Sequence, residues 1–175
     1  MTIRLIDNFI NQEQLTQINE YVDEKGYSYG WKSNMNKEYK HWNLHIGGSK
    51  SYRDEIIVEQ KDIQNPLIWN IWERINVHGN KLIRIYSNAY TYGTEGAIHK
   101  DSDNPNSKTH MIYINEVWNK DWAGETCFFE NDDILGAILP KPGRFIEFPG
   151  TIEHAARSVS KFCPVVRKVL VYKSI

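Results

Sequence analysis

Leu82-Ile83-Arg84-Ile85-Tyr86-Ser87-Asn88-Ala89-Tyr90-Thr91-Tyr92 runs without a glycine or proline and is dense in β-branched and aromatic residues. That is the composition of a strand held on a pleated, partly buried surface. Similar shorter runs follow at Thr109 to Asn115, Thr126 to Glu130, Ile134 to Leu139, Arg144 to Phe148 and Val166 to Tyr172. Turn pairs such as Pro142-Gly143 and Pro149-Gly150 separate some of them. Short strands at this spacing predict a mainly β protein built as a sandwich or jelly roll.

Upstream of Leu82 the pattern differs. Ile3-Arg4-Leu5-Ile6 reads as a short strand, and Asn11 then caps a segment with Leu15, Ile18 and Val22 on one helical face, closed by Gly26. Asn65-Pro66 opens a second helix, in which Ile68, Ile71, Trp72 and Ile75 recur at helical spacing until Gly79-Asn80. Both helices are expected to pack on one sheet. No repeat or linker divides the chain, so residues 1–175 are read as one domain, with 1–80 supporting a β core at 81–175.

The 175 residues suffice for one buried core without staples. Lys and Arg (21) nearly balance Asp and Glu (22), which gives no reason to expect a nucleic-acid field across the surface. No apolar run is long enough for a membrane helix, and Met1-Thr2-Ile3-Arg4 leads into strand-like residues instead of a signal-peptide core. A cytoplasmic location is therefore expected. Cys127 and Cys163 lack CxxC spacing and are expected to remain thiols.

His99-Lys100-Asp101 follows the Leu82 to Tyr92 run. Strand side chains repeat every two residues, so the imidazole and the carboxylate should face the same way. His154, just beyond the Pro149-Gly150 turn, can supply a third ligand. Two histidines and one carboxylate leave open positions on an octahedral iron(II), whereas a structural zinc site would close four and often use cysteine. By itself an HxD pair is also compatible with a solvated strand end. His41-Trp42-Asn43-Leu44-His45 places two further histidines on one strand face, but no carboxylate completes a second metal site there. An exposed face or a wall of a substrate groove is the simpler reading. His78 and His110 read as ordinary structural residues.

The ordered set Tyr90-Thr91-Tyr92-Gly93, His99-Lys100-Asp101, Met111-Ile112-Tyr113-Ile114-Asn115, Trp122-Ala123-Gly124-Glu125-Thr126, Pro142-Gly143-Arg144-Phe145, His154 and Arg167 resembles the 2-oxoglutarate/Fe(II)-dependent dioxygenases. Within them it is similar to the prolyl 4-hydroxylase-like branch, over roughly the last half of the chain. The resemblance implies a cupin-like double-stranded β-helix with His99, Asp101 and His154 holding Fe(II), and with 2-oxoglutarate and O2 as co-substrates and ascorbate as reductant. It implies hydroxylation of an unactivated C–H bond, with peptidyl proline as first choice of substrate. The alternatives are the same chemistry on a free amino acid, small metabolite or nucleobase, and a jelly-roll metal- or ligand-binding protein without turnover. The oligomeric state is left open.

The same resemblance assigns the far carboxylate of 2-oxoglutarate to Arg167, with Tyr113 and Tyr90 beside the co-substrate. A guanidinium fork suits a carboxylate because it offers two parallel charge-assisted bonds. The family's basic residue commonly lies closer to the last histidine, and here Lys161-Phe162-Cys163-Pro164 lengthens the intervening turn. Arg157, Lys161 and Lys168 therefore stay as alternatives to Arg167, and Tyr92 as an alternative to Tyr90. Gly124 is expected at a bend closed to residues with side chains. The polar run Ser102 to Ser107 reads either as a lid over the site or as a plain surface turn.

Overall fold

A computed structural model describes residues 3–49 and 56–175. Met1 and Thr2, the first half of the opening Met1 to Arg4 stretch, lie outside the described residues. Ten strands and two helices follow in the order β1 (Arg4–Ile6), α1 (Gln12–Lys25), β2 (Ser28–Trp31), β3 (His41–Gly48), α2 (Pro66–Ile75), β4 (Leu82–Tyr90), β5 (Lys108–Tyr113), β6 (Thr126–Glu130), β7 (Asp133–Ile138), β8 (Phe145–Pro149), β9 (Glu153–Ala156) and β10 (Arg167–Ser174). Short 3-10 turns at Gln60–Asp62 and Lys120–Trp122 complete the described elements. The protein is mainly β, as the sequence predicts.

Seven strands form one antiparallel sheet in the order β1-β8-β5-β10-β4-β3-β2, and three form a second in the order β7-β6-β9. The first part of the chain thus adds three strands to the large sheet. Of these, β2 escaped the sequence reading, because Ser28-Tyr29-Gly30-Trp31 is short and interrupted by a glycine.

Local chemistry fixes the helices. Asn11 forms a reciprocal capping box with Gln14, and Asn65 accepts from the amides of Leu67 and Ile68 with Pro66 in the first turn. The second helix stops at Ile75, before Gly79, where Asn76 turns away and its side chain bonds to Asn80. Leu15, Ile18 and Val22 of α1 and Ile68, Ile71, Trp72 and Ile75 of α2 share one buried cluster with Ile112, Leu170 and Tyr172 of the large sheet. Tyr172 seals this layer by donating its hydroxyl to the Ile68 carbonyl at 2.8 Å.

Because side chains alternate, β10 sends Leu170 and Tyr172 to the helices and Arg167, Val169, Val171 and Lys173 to the other face. On that face Tyr86, Met111, Tyr113, Phe128, Ile146, Phe148, Ile152, Val169 and Val171 form a second core between the sheets. The large sheet therefore separates a supporting layer from a layer that opens into a polar pocket. Among the described residues no helix is long and apolar enough to cross a membrane. Cys127 and Cys163 are free thiols.

Ile18 is completely buried where α1 meets the sheet. Ile18→Ala is expected to cost about 2–5 kcal/mol in urea unfolding, the usual result of truncating a large aliphatic in a packed core. A loss well under 1 kcal/mol, about what a surface change costs, would mean that α1 is not held by this layer.

Candidate functional site

Between the sheets lies a pocket lined by His99, Asp101, His154, Arg167 and Lys173, with Tyr86, Asn88, Tyr90, Thr109 and Thr126 around them. The segment carrying His99 and Asp101 is not a regular strand. His99 makes an isolated antiparallel bridge to His154, with N–H to carbonyl distances of 3.1 Å and 3.0 Å in the two directions. The amides of Asp101 and Ser102 both donate to the Gly150 carbonyl, at 2.8 Å and 3.1 Å. The two residues face one point, as expected, but through a bridge and a turn instead of strand alternation.

The three side chains bring their ligand atoms within 4.8 Å of one another. Nε2 of His99 lies 3.4 Å from Asp101 Oδ1, and Nε2 of His154 lies 3.4 Å from Asp101 Oδ2. Each imidazole has its Nδ1 on a backbone carbonyl, Ala97 for His99 (2.8 Å) and Ile152 for His154 (3.0 Å). With Nδ1 as donor, the Nε2 lone pair is left pointing at the carboxylate, which is the tautomer a metal ligand needs. These residues fit a divalent metal.

Electrostatics agree with that geometry. Burial pushes the Asp101 carboxyl upward, but the Lys173 ammonium and the two imidazoles outweigh it and hold it well below the ordinary range. Burial lowers His154 to about 4, with His99 and Lys173 adding to the effect, so its ring is neutral at pH 7. Thr109 fixes the carboxylate by donating its hydroxyl to Oδ2 at 2.6 Å.

Arg167 is 0 % exposed. Its Nε donates to the Gly124 carbonyl at 2.7 Å and its Nη2 to Thr126 Oγ1 at 3.0 Å. Its Nη1 is buried and makes no hydrogen bond among the described residues. The rings of Tyr90 and Tyr113 flank the guanidinium at 5.0 Å and 5.2 Å. Tyr113 donates its hydroxyl to the Ile138 carbonyl at 3.0 Å and contacts Thr126 Oγ1 at 2.8 Å. Gly124 has a positive φ of 80°, and a Cβ there would stand 3.1 Å from Arg167 Cδ, so glycine lets the chain close onto the arginine.

The other basic candidates point elsewhere. Arg157 reaches Glu95 and the face of Phe129, Lys161 lies over Phe162, and Lys168 pairs with Asp23 on the opposite side of β10. Tyr92 is exposed.

Three polar features escaped the sequence reading. Lys173 and Thr109 touch Asp101 directly. His41, on a face expected to be either exposed or a wall of a groove, is wholly buried and stacks on Tyr90 with ring centroids 4.8 Å apart. Burial, reinforced by the neighbouring His99 and Arg167 side chains, lowers His41 to about 3. Asn43, on the same face, donates to Asn88 Oδ1 at 2.8 Å. Strand parity was the available signal: Lys173 is six residues after Arg167, and 41 and 43 face the same way. The Ser102 to Ser107 run folds into a hydrogen-bonded turn whose end, the Ser107 carbonyl, accepts from the Gly150 amide at 2.9 Å.

No family model matches this chain, and no curated protein matches it. Solved structures do. A prolyl hydroxylase from Trichoplax adhaerens, in complex with a hypoxia inducible factor oxygen degradation domain peptide fragment, superposes with a TM-score of 0.65 at 16% identity, covering 99% of this chain and 83% of that one. The fold is that of the prolyl hydroxylases. The viral collagen prolyl hydroxylase of Paramecium Bursaria Chlorella virus-1, in its 2-oxoglutarate complex, matches with a TM-score of 0.69 at 15% identity, covering 99% of this chain and 96% of that one. An oxidoreductase of the 2OG-Fe(II) oxygenase family from Burkholderia pseudomallei gives 0.71 at 12%, covering 98% and 84%. The structural likeness thus spans the whole chain, beyond the half that carries the sequence resemblance.

Two predictions follow from the geometry. A Cβ on Gly150, whose own carbonyl holds the Asp101 amide, would collide with Ser107 Oγ. Gly150→Ala should therefore weaken Mn(II) binding by about tenfold or more, the scale of one disturbed supporting contact, and unchanged calorimetric affinity would refute that role. His41 and His154 have folded values of about 3 and about 4, below the ordinary value near 6.5, so the unfolded chain binds more protons in acid. The stability of the metal-free protein should be level above pH 6.5 and fall steadily as pH drops from there towards 4. A urea midpoint that stays flat across that window would contradict the buried neutral imidazoles.

Proposed function

We propose that this chain, acting as one catalytic unit over residues 1–175, is an Fe(II)- and 2-oxoglutarate-dependent dioxygenase on a double-stranded β-helix core. The observation that carries the reading is the pairing of two features in one pocket: a His99-Asp101-His154 cluster able to hold a metal, and a buried Arg167 whose Nη1 makes no hydrogen bond among the described residues. A buried guanidinium is costly unless its donors are satisfied and its charge is balanced. No carboxylate side chain pairs with it among the described residues, and a co-substrate carboxylate meets both needs.

Iron(II), with 2-oxoglutarate and O2, supplies the oxidation that places one oxygen atom on a C–H carbon of the substrate. The protein's part is to bind and orient. His99 and His154 turn their Nε2 atoms to the cluster because their Nδ1 atoms are engaged by backbone carbonyls. Asp101 offers an ionised oxygen, held in place by Thr109. Gly124 and Thr126 hold two nitrogens of Arg167 and leave the third for the co-substrate, with Tyr90 and Tyr113 as the walls of that end. Val169 and Val171 lie between Arg167 and Lys173 on the same strand face and keep the intervening surface apolar.

For the substrate we put forward a peptidyl proline, with ascorbate as the reductant that maintains the ferrous state. Support comes from the neighbours, which include prolyl hydroxylases, one of them described with a bound peptide fragment.

Purified protein given Fe(II), ascorbate and 2-oxoglutarate should release succinate, faster when a proline-containing peptide gains the mass of one oxygen atom. His99→Ala and Asp101→Ala should reduce succinate to background; equal release from wild type and variants would end the enzymatic reading. Arg167→Ala should weaken 2-oxoglutarate binding by about 1.5–3 kcal/mol, the worth of a charged hydrogen bond, and leave Mn(II) affinity unchanged. Parallel loss of both ligands in calorimetry would mean that Arg167 supports the fold instead of the co-substrate.

A further inference from the structure

The second cation of the pocket has no place in the chemistry described above. Lys173 lies on the pocket face of β10, opposite Thr109 in the β5 register, and its side chain is only 12 % exposed. Its Nζ donates to Thr109 Oγ1 at 2.8 Å and forms an ion pair with Asp101 Oδ2, the same oxygen that faces His154 Nε2. Lys173 therefore engages the Asp101 oxygen that faces His154, while the other faces His99.

We propose that Lys173 is a built-in competitor for the metal site: in the metal-free protein its ammonium neutralises Asp101, and a divalent cation binds by exchanging with it. This inference rests on the metal-binding reading of the cluster. Two arguments set the sign. First, a buried ionised carboxylate is costly without a partner, so Lys173 stabilises the metal-free state and thereby lowers the net gain from binding a metal. Second, an ammonium and a dication on one carboxylate repel strongly in a pocket shielded from water.

The opposing effect would be that Lys173 orients Asp101 for its ligand role. Thr109 already does so, through the 2.6 Å bond to the same oxygen, and the Asp101 amide is tied independently to Gly150. Orientation therefore survives the loss of the lysine, and the electrostatic effect prevails. While paired with Asp101 the ammonium already stands 5.9 Å from the centre of the Tyr86 ring, a cation–π neighbour independent of the carboxylate it would give up.

The test is Mn(II) titration calorimetry at one pH on wild type, Lys173→Met, Lys173→Arg and Asp101→Ala, with circular dichroism to verify folding. Lys173→Met should bind Mn(II) about tenfold to a hundredfold more tightly, the equivalent of removing one charged interaction from the metal-free side of the equilibrium. Lys173→Arg, which keeps the charge, should not show that gain. If Lys173→Met does not fold, Lys173→Gln carries the same expectation. Unchanged or weaker binding in the neutral variants, with Asp101→Ala still abolishing it, would overturn the competition and leave the metal site standing. Wild-type affinity in Asp101→Ala would overturn both.

Discussion

Two backbone hydrogen bonds between His99 and His154 tie a loop after β4 to the start of β9, and the rest of the pocket depends on that tie. It is the point where a segment outside the regular sheets is held against the small one. With the Asp101 amide fixed on Gly150, it sets three side chains on one centre although neither His99 nor Asp101 belongs to a strand. Each histidine then spends its Nδ1 proton on a carbonyl two residues upstream, Ala97 or Ile152. Backbone geometry thus determines both where the imidazoles stand and which nitrogen is free.

The pocket's second organising feature is its shortage of negative charge. Among the described lining residues Asp101 is the sole carboxylate, against Arg167 and Lys173 on one face of β10. Water is largely excluded, so each charge must be balanced locally. In the metal-free protein Lys173 answers Asp101, and Arg167 has only neutral partners among the described residues. An incoming metal and an incoming dicarboxylate address those two conditions separately. This division is why the proposed roles of the cluster and of Arg167 can be tested apart.

Much of this was legible in the chain. The caps Asn11 and Asn65, the helical spacing of Leu15, Ile18 and Val22, and the β-rich runs after Leu82 all act locally, and the elements formed where local chemistry put them. The sequence pattern suggested His99, Asp101 and His154, and the family resemblance added Arg167 ahead of Arg157, Lys161 and Lys168; these four share one pocket. What escaped it depended on contacts between distant segments. Lys173 looks like a surface charge near a chain end until β5 brings Thr109 opposite it. The sequence leaves the face of His41 either exposed or in a groove wall, and its burial emerges only when β4 pairs with β3 and Tyr90 covers its ring. The expected strand alternation at His99 and Asp101 reached the right side for the wrong reason, since a bridge and a turn do the work.

The central claim is that metal and 2-oxoglutarate meet on this cluster, with the co-substrate's far carboxylate on Arg167. The most direct measurement is anaerobic optical titration of the Fe(II)-loaded protein with 2-oxoglutarate. Chelation of ferrous iron by the keto acid gives a visible charge-transfer band that neither component shows alone. The account predicts that this band grows to saturation in the wild type, is absent in His154→Ala, and in Arg167→Ala requires a much higher 2-oxoglutarate concentration. A wild-type protein that binds Fe(II) and 2-oxoglutarate yet develops no band would contradict it.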